Sequence, residues 1–476
     1  MIGSLIDTMA RSVEDAGNAV SEAFLEPVVR LGVTGLSRSG KTVFITSLVA
    51  NLLDRDRMRQ LEPAASGRIL SAYLRPQPDD TIARFPYERH LNAITGTAPH
   101  WPDGTRAISE LRLSFRVRPR GLMGGIATLG GLTGPRTVHL DIVDYPGEWL
   151  LDLGLMEKSY ADWSETALAR LATRPGGQDY LGAMAAADHA APFEDERAET
   201  LAHLFAESLK ASREAGFSDC SPGRFLLPGE MEGSPALTFA PLPPQPGAPR
   251  RSLWREFERR FEAYKSKIVK PFFRDHFSRI DRQVVLLDVL GAIHDGPAAL
   301  EDLRQVMAEV LGAFRPGANS WLSGLLLGRR VEKILFAATK ADHLHHSQHA
   351  QLTAITEALV REARDRAQFA GAETGAMSLA ALRATVEETR QHGGRTLDLV
   401  RGRRLDTGAE AAFYPGELPS DPMRLLAPAR EGAEKWLDAD YQVMRFAPAP
   451  LTLAPGEGPP HIRLDRAAQF LVGDRL

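Results

Sequence analysis

The stretch Gly35-Leu36-Ser37-Arg38-Ser39-Gly40-Lys41-Thr42 stands between an apolar run, LGVT (31–34), and a helix-like run, TVFITSLVANLL (42–53). It is a complete G-x-x-x-x-G-K-[ST] pattern, placed after a strand and before a helix, the context that gives the pattern its meaning. Glycines let such a loop close tightly on an anion, so that backbone N–H groups and the positive end of the helix face phosphate oxygens. Lys41 then reaches the terminal phosphates and Thr42 offers a hydroxyl to magnesium. Gly35, Ser37, Arg38, Ser39, Gly40, Lys41, Thr42 and Val43 are the expected phosphate-binding set.

Further along, TVHLDIV (137–143) runs into Asp144-Tyr145-Pro146-Gly147. A carboxylate at a strand tip can organise magnesium there, and Gly147 can offer its N–H to a γ-phosphate. The base is read by Thr339-Lys340-Ala341-Asp342, which follows KILFAA (333–338). Asp342 can accept two hydrogen bonds, from guanine N1–H and from the 2-amino group, while the Lys340 stem covers the ring. Adenine has no such donor pair, so GTP and GDP are the expected substrate and product. Thr339, Lys340, Asp342 and the adjoining His343 form the expected base-binding set. A switch also needs a magnesium ligand from a segment that senses the γ-phosphate. Thr105, in WPDGTRAIS (101–109), is chosen, so the expected metal set is Thr42, Thr105 and Asp144. Thr81 competes with Thr105, and either threonine also suits a helix cap.

Around these motifs, short apolar runs alternate with longer helical ones, which reads as an α/β P-loop NTPase of the GTPase type with a three-layer sheet core. Strands are expected over 29–34, 110–117, 137–143, 283–290, 331–337 and 375–382. Between the third and fourth lie roughly 130 residues, far more than a crossover requires. A large inserted helical domain is therefore expected, with helical stretches over 156–174, 180–215 and 251–280 and a proline-rich irregular connection over 222–249. The expected division is 1–147 and 283–395 as the two parts of the GTPase core, 148–282 as the insertion, and 396–476 as a C-terminal extension packing on the core or the helical domain. Within that extension a short helix is expected near Glu434–Leu437.

Lys plus Arg number 57 against 61 Asp plus Glu, a net charge of −4, so no basic field draws nucleic acid. Cys220 is the single cysteine and cannot form an internal disulfide, which fits a reducing compartment. No run reaches the ~18 uncharged apolar residues of a membrane span, and the start lacks the pattern of a signal peptide. A cytoplasmic protein is expected. Ile2, Leu5, Ile6, Met9 and Val13 fall at helical spacing and suit a short amphipathic helix packed on the same chain.

With those residues in place, the chain resembles the YcjX-like family of stress-associated P-loop GTPases (DUF463). The resemblance runs nearly end to end through WPDGTRAIS, DYPGEWLLDL, VLLDVLGAIHDGP, LFAATKADH, LRAT, FYPGELPSDP and HIRLDRAAQFLVGDRL. It implies guanine nucleotide binding, a helical domain joined to the GTPase core and a role in stress response without a settled cellular substrate; the magnesium-dependent switch read from the motifs is expected to act on an unnamed protein effector. Two details are similar to dynamins and guanylate-binding proteins. Thr339 stands where small GTPases carry asparagine, and Arg38 stands where guanylate-binding proteins carry an arginine that turns inward on dimerisation. That likeness implies a homodimer across the nucleotide face, with Arg38 neutralising charge between the β- and γ-phosphates; the other reading turns Arg38 to solvent. Glu148 replaces the water-orienting glutamine of small GTPases, so the expected catalytic set is Arg38, Lys41, Thr105 and Glu148. Ala381, Leu382 and Arg383 occupy a second base-contacting loop that lacks its usual serine. Two competing readings are a nucleotide-gated binding module with negligible hydrolysis and an ATP-using kinase or ATPase.

His343, His345, His346 and His349 crowd behind the base motif and read as a solvated helix start, because no acid or cysteine accompanies them in sequence. Two apolar pieces, 121–134 and 321–327, each lie beside arginines. Packing beneath the helical domain and contact with a partner or the inner-membrane surface are both open for them.

Overall fold

Strand β1 (Val28–Gly35) carries Leu31 and Val33 fully buried, because it has a parallel neighbour on either side. Those neighbours are β5 (Arg136–Asp144), with Val33 opposite Asp144, and β6 (Arg282–Leu287), with Gly35 opposite Leu286. The computed structural model describes residues 26–36, 38–104, 107–119, 134–312, 331–369, 371–436 and 441–476. Ser37, Thr105, the 2–13 and 321–327 stretches and nearly all of 121–134 lie outside the described residues.

Beyond β6 come β7 (Lys333–Ala338) and β8 (Glu373–Ser378), both parallel. On the other side β4 (Ser109–Val117) pairs antiparallel with β5, and β2 (Ile69–Arg75) antiparallel with β4. The two-residue β3 (Ala83–Arg84) adds to β4, and the path through the sheet is β2-β4-β5-β1-β6-β7-β8. This is a mixed α/β architecture with a parallel-rich central sheet, compatible with a P-loop GTPase-like fold.

Alternation along β6 divides the core into two layers. Val284 and Leu286 belong to one buried cluster with Phe44 and Leu48 of helix Lys41–Leu53 and Leu471 of helix Leu464–Val472. Val285 and Leu287 belong to the other, with Leu300 of helix Pro297–Gly312 and Ile355 of helix His349–Leu359. No helix among the described residues is long and apolar enough to cross a membrane.

The long connection from β5 to β6 holds helices Tyr160–Thr173, Gly177–Ala186, Asp195–Glu214 and Leu253–Tyr264. Their rings interlock, with Trp163 stacked on Phe261 at 5.0 Å and edge-on to Phe239 at 5.5 Å. The proline-rich stretch lies inside this packing. Phe239, Ala240 and Leu242 are fully buried there, and its carbonyls are satisfied by side chains: Tyr160 Oη donates to Ala240 O at 2.7 Å and Trp254 Nε1 to Pro243 O at 3.0 Å. These residues share one buried cluster with Val285 and Phe336 of the sheet.

Several elements differ from the sequence expectation. The run 180–215 is two helices, interrupted before Pro192, where the chain turns to pair with Ser252. The fourth core strand stops at Leu287, because the Asp288 side chain accepts from Gly291 N at 3.0 Å and starts helix Val289–Asp295. A separate antiparallel sheet of β9 (Thr385–His392), β10 (Arg395–Arg403) and β11 (Glu410–Phe413) follows β8, its first turn made by Gly393 and Gly394, both at positive φ. The C-terminal region forms a helix at Met423–Arg430, and Glu434 to Trp436 are not helical.

Asp152 ties the turn after β5 to the helical connection. Its carboxylate is completely buried and accepts from Tyr264 Oη at 2.6 Å and from Gly223 N at 2.8 Å. Burial pushes this carboxyl up to about 7, against about 3.9 in an unfolded chain. The folded state therefore holds the proton more tightly, and stability falls as pH rises from about 4 to about 7, by on the order of 1.4 kcal/mol per unit for this group. Chemical denaturation across that range should give wild type a steeper loss of stability with pH than Asp152→Asn; equal slopes would contradict the assignment.

Candidate nucleotide-binding site

All five parallel strands end at one edge of the sheet, so the loops after β1, β5, β6, β7 and β8 converge there. After β1 the chain turns through Arg38 at φ 65° and Gly40 at φ 78° before helix Lys41–Leu53 begins. This is the left-handed geometry that the glycine of the motif supplies without strain. Lys41 is buried, its ammonium 3.0 Å from Asp144 Oδ1 and donating to Tyr145 O. Ser39 Oγ is buried without a hydrogen-bond partner among the described residues. Thr42 Oγ1 donates to Asp103 O at 3.4 Å.

Gly147 presses its backbone against the phosphate loop. A Cβ at this position would stand 2.2 Å from Gly35 O, so no other residue fits without displacing the loop. Glu148 follows, only 8% exposed, and a Cβ on Gly223 of the helical connection would stand 2.1 Å from its carbonyl. Trp149 Nε1 donates to Leu227 O at 3.2 Å, and the Arg224 guanidinium lies 3.2 Å over the Trp149 ring. The turn after β5 is thus gripped by the phosphate loop on one side and by residues 223–227 on the other.

At the far end, Lys340 sits at φ 61° and its ammonium pairs with Asp288, the residue just beyond β6. Asp342 is 4% exposed. Its Oδ2 accepts from Ala384 N at 2.9 Å, and its carbonyl accepts from Thr385 Oγ1. The carboxylate is therefore oriented by the loop that follows β8. Burial holds the His343 imidazole below its usual range, and its ring meets Phe446 edge-on at 5.4 Å.

One cleft of about 590 Å³ joins these parts. Gly35, Arg38, Ser39, Gly40, Lys41, Thr42, Val43, Glu148, Thr339, Lys340, Asp342, His343, Ala381 and Leu382 line it, all of them singled out in the sequence. Asp144 and Gly147 lie beneath the lining, reached through Lys41 and Gly35. Arg383 turns away: its side chain donates to Thr385 O at 3.1 Å and lies 3.4 Å from Glu387. Thr81 is bound to Asp79 at 2.5 Å and does not line the cleft. The Arg38 guanidinium donates to Glu214 O at 3.2 Å, at the end of helix Asp195–Glu214.

Other lining residues carried no sequence signal of their own. Trp101 lies in a stretch already marked, but its partner is distant in sequence: Trp101 Nε1 donates to Phe446 O at 2.7 Å. Arg213 and Leu227 come from the helical connection, and Leu405, Arg445 and Phe446 from the C-terminal region. Asp288 was legible, since it ends an apolar strand as Asp144 does. The histidine run does stand at a helix start, that of His349–Leu359, but it is solvated only at His346. His345 and His349 are buried, and His349 Nε2 lies 2.8 Å from Ala341 O.

Thr42 and Asp144 offer oxygen donors of the hard type that magnesium prefers, at the foot of the phosphate loop. A family model described as the YcjX-like family, DUF463, matches residues 29–476. Over 472 residues the chain is 35% identical to the Ras-like GTPase YcjX of Escherichia coli (strain K12), covering 96% of this chain and 98% of that protein. Over 500 residues it is 33% identical to the Ras-like GTPase YcjX of Shewanella oneidensis, covering 99% of each. A match that begins at β1 and ends at the last residue, at this identity, makes the chain a member of the YcjX-like family, DUF463.

Proposed function

We propose that this protein binds GTP in the cleft and hydrolyses it to GDP and phosphate with Mg2+, using loss of the γ-phosphate to move its helical segment. The observation that carries the reading is that one cleft holds both the phosphate loop and the Asp342 carboxylate. The relatives' printed name, Ras-like GTPase, supports it.

Lys41 takes the terminal phosphates in place of Asp144 and the Tyr145 carbonyl, which leaves the Asp144 carboxylate available as an oxygen donor. Thr42 and Asp144 would hold Mg2+, with Thr105 proposed as the third ligand; when bound, the ion offsets charge on the β- and γ-phosphates. Glu148, at the cleft wall, is the proposed partner of the attacking water. The Gly147–Leu155 turn carries the nucleotide state outward, since Glu148, Trp149 and Asp152 all contact residues 223–227. Residues 148–282 act in this reading as the moving unit, and a protein effector responds to it. A stress-response role is the proposed cellular setting.

Guanine selection rests on Asp342. In Asp342→Asn the amide oxygen still accepts from Ala384 N, so the loop keeps its support while the guanine-facing acceptor becomes a donor. GTP affinity should fall at least about 100-fold, and xanthosine triphosphate, which carries oxygen where guanine carries the 2-amino group, should bind the variant better than wild type. Titration of both nucleotides decides it; unchanged GTP affinity removes Asp342 from the site.

A second reading, a nucleotide-gated binding module that hydrolyses negligibly alone, is favoured by the placement of Arg38 on the Glu214 carbonyl. Single-turnover hydrolysis separates the two. The GTPase reading expects turnover that rises with protein concentration if a homodimer forms across the nucleotide face, and a drop of about 10³-fold in Arg38→Ala if that arginine swings inward. No turnover by wild type at any concentration would leave only the binding module, and equal rates for wild type and Arg38→Ala would remove Arg38 from catalysis.

A further inference from the structure

Four residues beyond Asp342 the chain enters a tight turn, His346–Gln348, that faces the β9–β10 hairpin. Alternation along β9 puts Glu387 and Thr389 on one face, and Asp398 of β10 stands opposite Thr389. That face meets the turn. His346 Nδ1 lies 2.6 Å from Glu387 Oε2, and His345 Nε2 lies 3.8 Å from the same oxygen. One ligand atom from each of His345, His346 and Glu387 falls within 4.8 Å of the other two. The two rings stand 4.2 Å apart.

We infer that His345, His346 and Glu387 form a binding site for a divalent transition ion of the zinc type. Two imidazoles and one carboxylate are a donor set that suits zinc and not magnesium. Bonds of about 2.0–2.1 Å in a tetrahedron put ligand atoms about 3.3 Å apart. The observed 2.6 and 3.8 Å bracket that separation, so small rotations suffice, and the His346 side chain, 69% exposed, is free to make them. His345 is the fixed ligand, only 8% exposed.

The outer contacts support the same assignment. Asp398 Oδ2 lies 3.3 Å from His345 Nδ1 and accepts from Ser347 Oγ at 3.1 Å, while Oδ1 accepts from Thr389 Oγ1 at 3.1 Å. A carboxylate behind one ring nitrogen fixes the tautomer that leaves the other nitrogen to the metal. Nδ1 then carries the proton, giving it to Asp398 or to Ser347 Oγ at 2.9 Å, and the long 3.4 Å approach of Ser347 N is relinquished. Arg383, 3.4 Å from Glu387 Oε1, orients the carboxylate from its other oxygen. A water fills the fourth position.

None of these ligands lines the nucleotide cleft, so the ion is distinct from the proposed magnesium. It fastens the turn that follows Asp342 to β9, whose first residue and the one before it hold Asp342 through Thr385 Oγ1 and Ala384 N. Its role is structural, a clip between two loops of the cleft wall.

The test uses full-length protein without a histidine tag, stripped of metal and kept in excess Mg2+. Titration with Co2+ should give the intense visible absorption of a tetrahedral site, and calorimetry with Zn2+ should give one ion per chain at micromolar affinity or tighter. His346→Ala and Glu387→Gln should each weaken Zn2+ at least about 100-fold, and Asp398→Asn about 10- to 100-fold, with metal-free unfolding midpoints close to wild type in His346→Ala and Glu387→Gln because His346 is exposed and Glu387 partly so. Absence of stoichiometric Zn2+ binding, or binding undiminished in both of those variants, overturns the assignment.

Discussion

The parallel pairing of β1 with β5 on one side and β6 on the other is the constraint on which the site depends. Because side chains and strand ends keep register across these pairs, Gly35, Asp144 and Asp288 emerge at the same edge. Each then does something local. The Gly35 carbonyl is met by Gly147 at a distance that excludes a Cβ on Gly147, Asp144 holds the Lys41 ammonium, and Asp288 holds that of Lys340. Two lysines separated by nearly 300 residues are thereby placed in one cleft by backbone hydrogen bonding, with their charges met by carboxylates at neighbouring strand tips.

The cleft has two walls that the core does not provide. One comes from the β5 to β6 connection, which reaches the phosphate end through Arg213, Glu214 and Leu227 and grips the turn after β5 through Asp152 and Trp149. The other comes from the C-terminal region, where Phe446 accepts from Trp101 and packs with Val400 and Ala384 in a small cluster of its own. Any change in the 101–104 segment or the Gly147 turn is therefore felt directly by one of these walls, without a long chain of intermediates.

What the sequence made legible follows from the range of the interactions involved. The Gly35–Thr42 loop and the Thr339–Asp342 motif are local patterns contained in a few consecutive residues, and each follows a parallel strand and lines the cleft. Five of the core strands were visible because buried strands read as apolar runs, whereas β8, Glu373–Ser378, is only partly buried and the expected span 375–382 overran its end by four residues. The β9–β10 hairpin was missed because TVEETRQH alternates weakly and RTLDLVRGR is charged, although the Gly393-Gly394 pair between them is a strong hairpin signal. The end of β6 was overrun by three residues because the apolar run continues into a helix, and Asp288 is the stop that was passed over. The histidine run was misjudged for a different reason. Its acidic partners arrive from β9 and β10, some forty to fifty residues later, and no spacing rule joins them. The same holds for Trp101 and Phe446, which meet only in the fold.

The central claim is that this cleft grips a triphosphate at Lys41 and selects guanine through Asp342. Its most direct measurement is the nucleotide taken up by the purified, folded chain, released by denaturation and identified by chromatography after incubation with a mixture of guanosine and adenosine phosphates at millimolar concentration. The account predicts about one guanosine di- or triphosphate per chain and little adenosine nucleotide. Folded protein that releases no guanosine nucleotide, or equal amounts of both, would contradict it.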